Sequence, residues 1–257
     1  MERIILKNKP LIEAIFELHW KLPSEHPELP ADPNYTLLVG SMHGHFKAEY
    51  PFFEQLPTTQ IPDALAAYLV QYRFRAGEQL WPIVQLGPGI ITLNQTADYR
   101  WDEDFAPRIG RTVREFFTAY PGEQPPVVQS LILRYINAVP FDYENQNVFD
   151  FLRDMMQVRI ELVPSLFEET GVPNHPHVLD IRVAFPSANP AGTISLRFAR
   201  GKHQNHDTLV WESWFESSDG AVAQTEEAIL TWATAAHTVI RDWFFKVIEG
   251  ELRQRFA

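Results

Sequence analysis

The feature that most constrains this chain is an internal echo. Pro10-Leu11-Ile12-Glu13-Ala14-Ile15-Phe16 reads like Pro126-Val127-Val128-Gln129-Ser130-Leu131-Ile132, and Thr112-Val113-Arg114-Glu115-Phe116-Phe117 reads like Val239-Ile240-Arg241-Asp242-Trp243-Phe244. A proline-led apolar strand opens each half and an aromatic-rich helix closes it. Repetition of a unit fixes architecture before any other argument. It predicts two α+β repeats, residues 1–124 and 125–257, packed together as one compact unit. It does not fix an activity.

Hydropathy periodicity fills in the elements. From Leu11 to Leu22, Ile12, Ala14, Phe16, Leu18 and Trp20 share one face and Glu13, Glu17 and His19 the other, the period of a half-buried strand. Asn34 is positioned to cap a helix reaching about Glu49, with Tyr35, Leu38, Val39, Met42 and Phe46 as its stripe. Strands are predicted at Leu69–Arg75, Leu80–Leu86 and Ile90–Asn94, the last two joined by Gly87-Pro88-Gly89, and a helix at Trp101–Tyr120. The second half repeats this order. A strand covers Val127–Val139, a helix is capped by Asn147, and strands follow at Arg159–Phe167, Val178–Phe185, Thr193–Arg200 and Leu209–Glu216. A long helix covers Ala221–Glu249.

Each half therefore reads strand, helix, antiparallel meander, long helix, with the long helix covering one sheet face. That order is also the order of the TATA-box-binding-protein-like topology, in which two such units fuse into one saddle. The segments Pro10–Glu17, Trp81–Ile90, Leu133-Arg134-Tyr135-Ile136-Asn137 and Ala236-His237 resemble those of a sporadically distributed bacterial family of conserved proteins without an assigned activity. The resemblance spans nearly the whole chain. It implies no reaction, cofactor or catalytic residue.

Composition narrows the function classes. A net charge of −11 repels a polyanion over most of the surface, and no Lys/Arg cluster offsets it, so nucleic acid is not an expected partner. Cysteine is absent, which removes disulfides, thiolate catalysis and cysteine-held metals. The apolar run after Met1 is too short for a signal peptide and no segment is long enough to span a bilayer, so a cytoplasmic, non-membrane protein is expected.

The histidines are the first candidates for chemistry. His43 and His45, two apart on a helix, point about 200° away from each other and cannot grip one metal. His175, His177, His203 and His206 fall on loops without a carboxylate pattern, and His237 sits at the edge of the last helix's apolar stripe as a partly buried, hydrogen-bonded residue. Asp102, Glu103 and Asp104 open a helix, where they complement its dipole. Gly87-Pro88-Gly89 lacks the Gly-Lys-Ser/Thr ending of a phosphate loop. No catalytic set, metal site or cofactor motif emerges.

The most suggestive polar set lies on the second-half sheet. If Ile181, Val183, Phe185, Ile194, Leu196 and Phe198 face the long helix, then Asp180, Arg182, Ser195, Arg197, Glu212 and Trp214 lie together on the opposite face. That arrangement is either a surface for a ligand or partner or a set of cross-strand ion pairs. Arg134, set among apolar neighbours, calls for an acidic partner, with Glu13 and Glu17 as candidates. On the last helix, Phe245 falls opposite the core stripe and Ile248 at its margin. They mark self-association as a homodimer or contact with another partner, unless the tail with Leu252 and Phe256 folds back over Phe245. The sequence thus favours a non-enzymatic binding or protein-interaction module using an exposed sheet face, with a protein or small-molecule partner. The alternative is a hydrolase or nucleic-acid-processing enzyme with an unrecognised His/carboxylate site.

Overall fold

In the computed structural model, residues 6–22, 32–62, 65–96, 98–218, 220 and 222–257 are described. The first half contributes β1 (Leu11–Trp20), α1 (Tyr35–Phe46), β2 (Phe52–Gln55), β3 (Tyr72–Arg75), β4 (Ile83–Gly87), β5 (Ile90–Gln95) and α2 (Ala106–Ala119). The second contributes β6 (Val128–Pro140), α3 (Val148–Met155), α4 (Ser165–Glu168), β7 (Asp180–Ala188), β8 (Ala191–His203), β9 (His206–Ser217), α5 (Glu226–Val247) and α6 (Glu251–Phe256). The strands form one nine-stranded sheet in the order β2-β3-β4-β5-β1-β6-β9-β8-β7, and every neighbouring pair is antiparallel. The mixed α+β class with an antiparallel sheet is as the periodicities predict. No helix among the described residues is long and apolar enough to cross a membrane.

The helices cover one face, and strand alternation dictates which. On β1, Ala14, Phe16, Leu18 and Trp20 are fully buried; on β6, Leu131, Leu133 and Tyr135 are buried. These residues share a core with Leu38, Met42 and Phe46 of α1, Ile109, Val113 and Phe116 of α2, and Ile229, Trp232, Ala236 and Ile240 of α5. A second core joins Val139, Leu209, Trp211 and Phe198 of the sheet to Leu152 of α3, to Ile248, and to Leu252 and Phe256 of α6. Helix α5, 22 residues long, contributes to both.

Several elements differ from the sequence reading. Asn34 makes no side-chain cap on α1. Asp32 instead accepts the Asn34 amide at 2.9 Å, and its other oxygen accepts Trp20 Nε1 at 3.0 Å, tying the start of α1 to β1. Residues 159–167 form no strand, since no neighbour completes their hydrogen bonds, and Ser165–Glu168 is a turn of helix. The strand predicted from Leu69 begins at Tyr72. The long helix ends at Val247 and the chain reverses at Gly250, whose φ of 108° suits glycine, so that α6 packs back. Asn147 caps α3 as read, accepting the Phe149 amide at 2.9 Å. Gly87-Pro88-Gly89 is the β4–β5 turn, with Gly89 at φ 80°.

The helix predicted from Trp101 opens differently. Trp101–Phe105 is a π turn, in which Phe105 N bonds Arg100 O at 2.8 Å, five residues back, before α2 continues it. Such wide turns frequently mark functional positions.

Candidate functional site

A cavity of about 410 Å³ lies where the sheet's central strands meet α5. Its floor is built by alternation. Helix-facing positions of β6 read Leu131, Leu133, Tyr135, Asn137 and Val139, and those of β9 read Leu209, Trp211, Ser213 and Phe215. Asn137 and Ser213 break these apolar runs. Register places Tyr135 directly opposite Ser213 and Asn137 opposite Trp211, which brings both polar residues to the same floor. Each is 2% exposed, and neither Asn137 Nδ2 nor Ser213 Oγ has a hydrogen-bond partner among the described residues; of the ten buried side-chain atoms in that state there, these two belong to residues lining the cavity. An unpaired buried group of this kind costs about 1–3 kcal/mol. Native proteins retain few of them, and each calls for a water, an ion or a functional role.

The roof is an aromatic and basic cluster. The π turn places the Trp101 indole on the His237 imidazole, with ring centres 4.0 Å apart and planes 6° from parallel. Tyr135 Oη lies 2.9 Å from His237 Nδ1 and 2.8 Å from Tyr99 Oη. Burial and then the charge of Arg241 push the imidazole down to about 3, so His237 is neutral near pH 7 and its Nδ1 accepts from Tyr135. Burial holds the Tyr99 and Tyr135 hydroxyls far above the usual phenol range, so both stay protonated. Lys9 donates to the Tyr99 carbonyl at 2.8 Å, and burial, followed by repulsion from Arg100, lowers its ammonium. Arg241 stands over the Phe245 ring at 5.6 Å and makes no ion pair with a carboxylate among the described residues.

The six residues singled out on the sheet do gather on its open face, but mostly with one another. Arg197 binds both oxygens of Asp180 at 2.8 Å and Glu212 Oε1 at 2.8 Å. The guanidinium of Arg182 lies 4.6 Å from the Trp214 ring centre, and that of Arg134 5.3 Å from it. Trp214 and Ser195 are buried rather than displayed. The ion partner of Arg134 is Glu212, at 3.9 Å, and not Glu13 or Glu17. Glu13 instead accepts Asn94 Nδ2 at 2.7 Å, and burial raises its carboxyl. The apolar face of β7 does turn toward α5, with Phe185 and Trp243 edge to face at 5.6 Å, yet Val183 and Phe185 remain exposed at the sheet's rim.

The self-association pair separates. Ile248 is fully buried in the second core, so it belongs to packing and not to a contact surface. Leu252 and Phe256 fold back into that core, and Arg253 covers Phe245 from α6 at 5.7 Å. Phe245 lines the cavity.

Among the described residues no group of three or more His, Asp or Glu side chains gathers as a metal site. His43 stacks on Phe53 with ring centres 5.1 Å apart, while His45 bonds Glu115 at 2.7 Å. His203 and His206 face each other across the β8–β9 hairpin tip. Of the cavity's residues the sequence singles out His237 as a buried, hydrogen-bonded residue, Phe245 as a contact and Asp102 as an acid opening a helix. Tyr99, Tyr135, Asn137, Ser213 and Arg241 were missed as a site. The available signal was a polar residue in the core register of each of two strands.

Comparison with protein-family models finds no match, and none of the curated proteins matches the chain.

Proposed function

We propose that this is a non-enzymatic binding protein whose ligand, a small organic molecule, occupies the cavity beneath α5. The observation that carries the reading is the pair of buried, unpartnered polar atoms, Asn137 Nδ2 and Ser213 Oγ, on the floor of one aromatic-walled cavity. A cavity of about 410 Å³ falls in the range of small-molecule sites, which combine apolar walls with a few placed polar groups. Hydrolysis is less well supported. His237 is the only imidazole at the cavity among the described residues, and one held down to about 3 is a weak base near neutrality. The open sheet face is a weaker candidate, because Arg197 is already paired with Asp180 and Glu212 and Arg182 lies over the Trp214 ring.

We also infer that the two halves arose by duplication and that the sheet is a TATA-box-binding-protein-like saddle. The order of elements supports this, as does the antiparallel β1–β6 pair at the centre of the sheet.

The test of the binding reading is a thermal-shift screen of small organic molecules against wild type, Ser213→Phe, which fills the cavity, and Asn137→Leu. Compounds that raise the melting temperature of wild type and of neither variant are expected. If every active compound stabilises the three proteins alike, or none is active, the reading fails.

A further inference from the structure

We infer that the cavity selects an organic anion, a carboxylate- or sulfonate-headed molecule with an apolar body. This rests on the cavity reading above and specifies its ligand.

Charge is the first argument. The chain carries −11 overall, yet the described residues around this cavity include Lys9, Arg100 and Arg241 and, among them, only one carboxylate, that of Asp102. Arg100 is shared with Glu103 at 3.6 Å, and Lys9 is spent in part on the Tyr99 carbonyl. Arg241 differs. Its neighbour Asp242 pairs with Lys246, and no carboxylate among the described residues reaches its guanidinium. Its charge is felt by both His237 and Tyr99, which places it against the roof cluster. A cation left unpaired beside a low-dielectric cavity is a standing attraction for a negative group and repels a positive one.

Hydrogen-bond polarity is the second argument. Asn137 Nδ2 can only donate, and the Ser213 hydroxyl can donate or accept. The nearby hydroxyls do not complete them, since Tyr99 and Tyr135 are engaged with each other and with His237. Acceptor oxygens therefore complete both groups, whereas a donor completes only Ser213. A carboxylate or sulfonate supplies several and forms the stronger, charge-assisted bonds. An ammonium supplies none.

The walls set the rest of the molecule. Trp101, Ile240 and Phe244 present ring and aliphatic surface. An apolar body gains about 25 cal/mol for each Å² it removes from water there, so a bare inorganic anion leaves that surface unused.

The test uses a matched pair of fluorescent probes, anilinonaphthalene sulfonate and phenylnaphthylamine, which share their rings and differ in the sulfonate. Both are titrated into wild type, Arg241→Gln, Ser213→Phe and Asn137→Leu, each confirmed folded by circular dichroism. The sulfonate is expected to bind wild type at least tenfold more tightly than the neutral probe. Arg241→Gln should bring the two within about threefold, and Ser213→Phe and Asn137→Leu should weaken the sulfonate at least tenfold. Equal binding of the two probes, lost in Ser213→Phe, overturns the anion inference and leaves the cavity reading standing. Binding that neither cavity variant alters, or no binding at all, overturns both.

Discussion

Replacing Asn137 by leucine should make the ligand-free protein more stable while abolishing binding. The side chain is 2% exposed and its Nδ2 donor has no partner, so folding strips that group of water and gives nothing in return. The cost of such an orphan is about 1–3 kcal/mol. Leucine has a similar shape, removes the donor, and adds apolar contact with a floor formed in part by Leu11. A gain of about 1 kcal/mol is expected after losses from imperfect packing. Urea unfolding of wild type and Asn137→Leu, with no added ligand, reads this as a higher midpoint at unchanged slope. In a chain of this size each kcal/mol moves the melting temperature by about 2–4 °C. A gain of stability with loss of binding is the trade-off expected where an unpaired polar group is kept for function. Should Asn137→Leu lose 1 kcal/mol or more, the amide is satisfied within the native protein and the reasoning from an unpaired donor is wrong.

Protonation gives a second expectation. His237 is neutral in the folded protein down to about pH 3 but takes a proton below about 6.5 once unfolded, so stability falls as pH drops through that window, by up to about 1.4 kcal/mol per unit. Unfolding free energies at pH 7, 6 and 5 should show this slope, and His237→Gln should flatten it; an NMR titration placing His237 near 6.5 refutes it. On the open face, Arg182→Ala should change stability by under about 0.5 kcal/mol, whereas Arg197→Ala should cost about 1 kcal/mol because half-buried Glu212 loses its closest partner. Calorimetric melts that rank the two variants the other way would contradict the ion-pair geometry. Ile248→Ala should cost about 2–5 kcal/mol by thermal unfolding, with an unchanged sedimentation coefficient; a variant as stable as wild type but altered in oligomeric state would move Ile248 to an interface.

Much of the fold is visible in the sequence because its signals are local. The alternation of Ile12, Ala14, Phe16, Leu18 and Trp20 needs no partner to be read, and neither does the stripe of Leu38, Met42 and Phe46. Errors fall where a distant neighbour decides. Residues 159–167 have strand-like composition but no adjacent strand, and Asn34 makes no side-chain cap on α1, where Asp32, bonded to Trp20, accepts its amide. The cavity was hidden for the same reason. Asn137 and Ser213 each look like a single polar lapse in an apolar strand, and only the β6–β9 register makes them one floor. The six open-face residues were placed together correctly by period-two reasoning, but periodicity carries no information on whether Arg197 turns to a ligand or to Asp180 and Glu212.

Helix α5 has a consequence for how the molecule comes apart. Ile229, Trp232, Ala236 and Ile240 hold one core, while Trp243, Phe244, Phe245 and Val247 rest on the other. The cavity sits at the changeover, around His237 and Arg241. A rigid rod anchored at both ends cannot release one cluster without loosening the other, so amide protons along α5 should exchange together, through openings that involve both halves. A bound molecule sits at the fulcrum of that rod. It adds RT ln(1 + [L]/Kd) to the free energy of every opening that dismantles the cavity. Occupancy of one small site is thereby recorded as slowed hydrogen exchange far from it, from β1 at one side of the helix to α6 at the other.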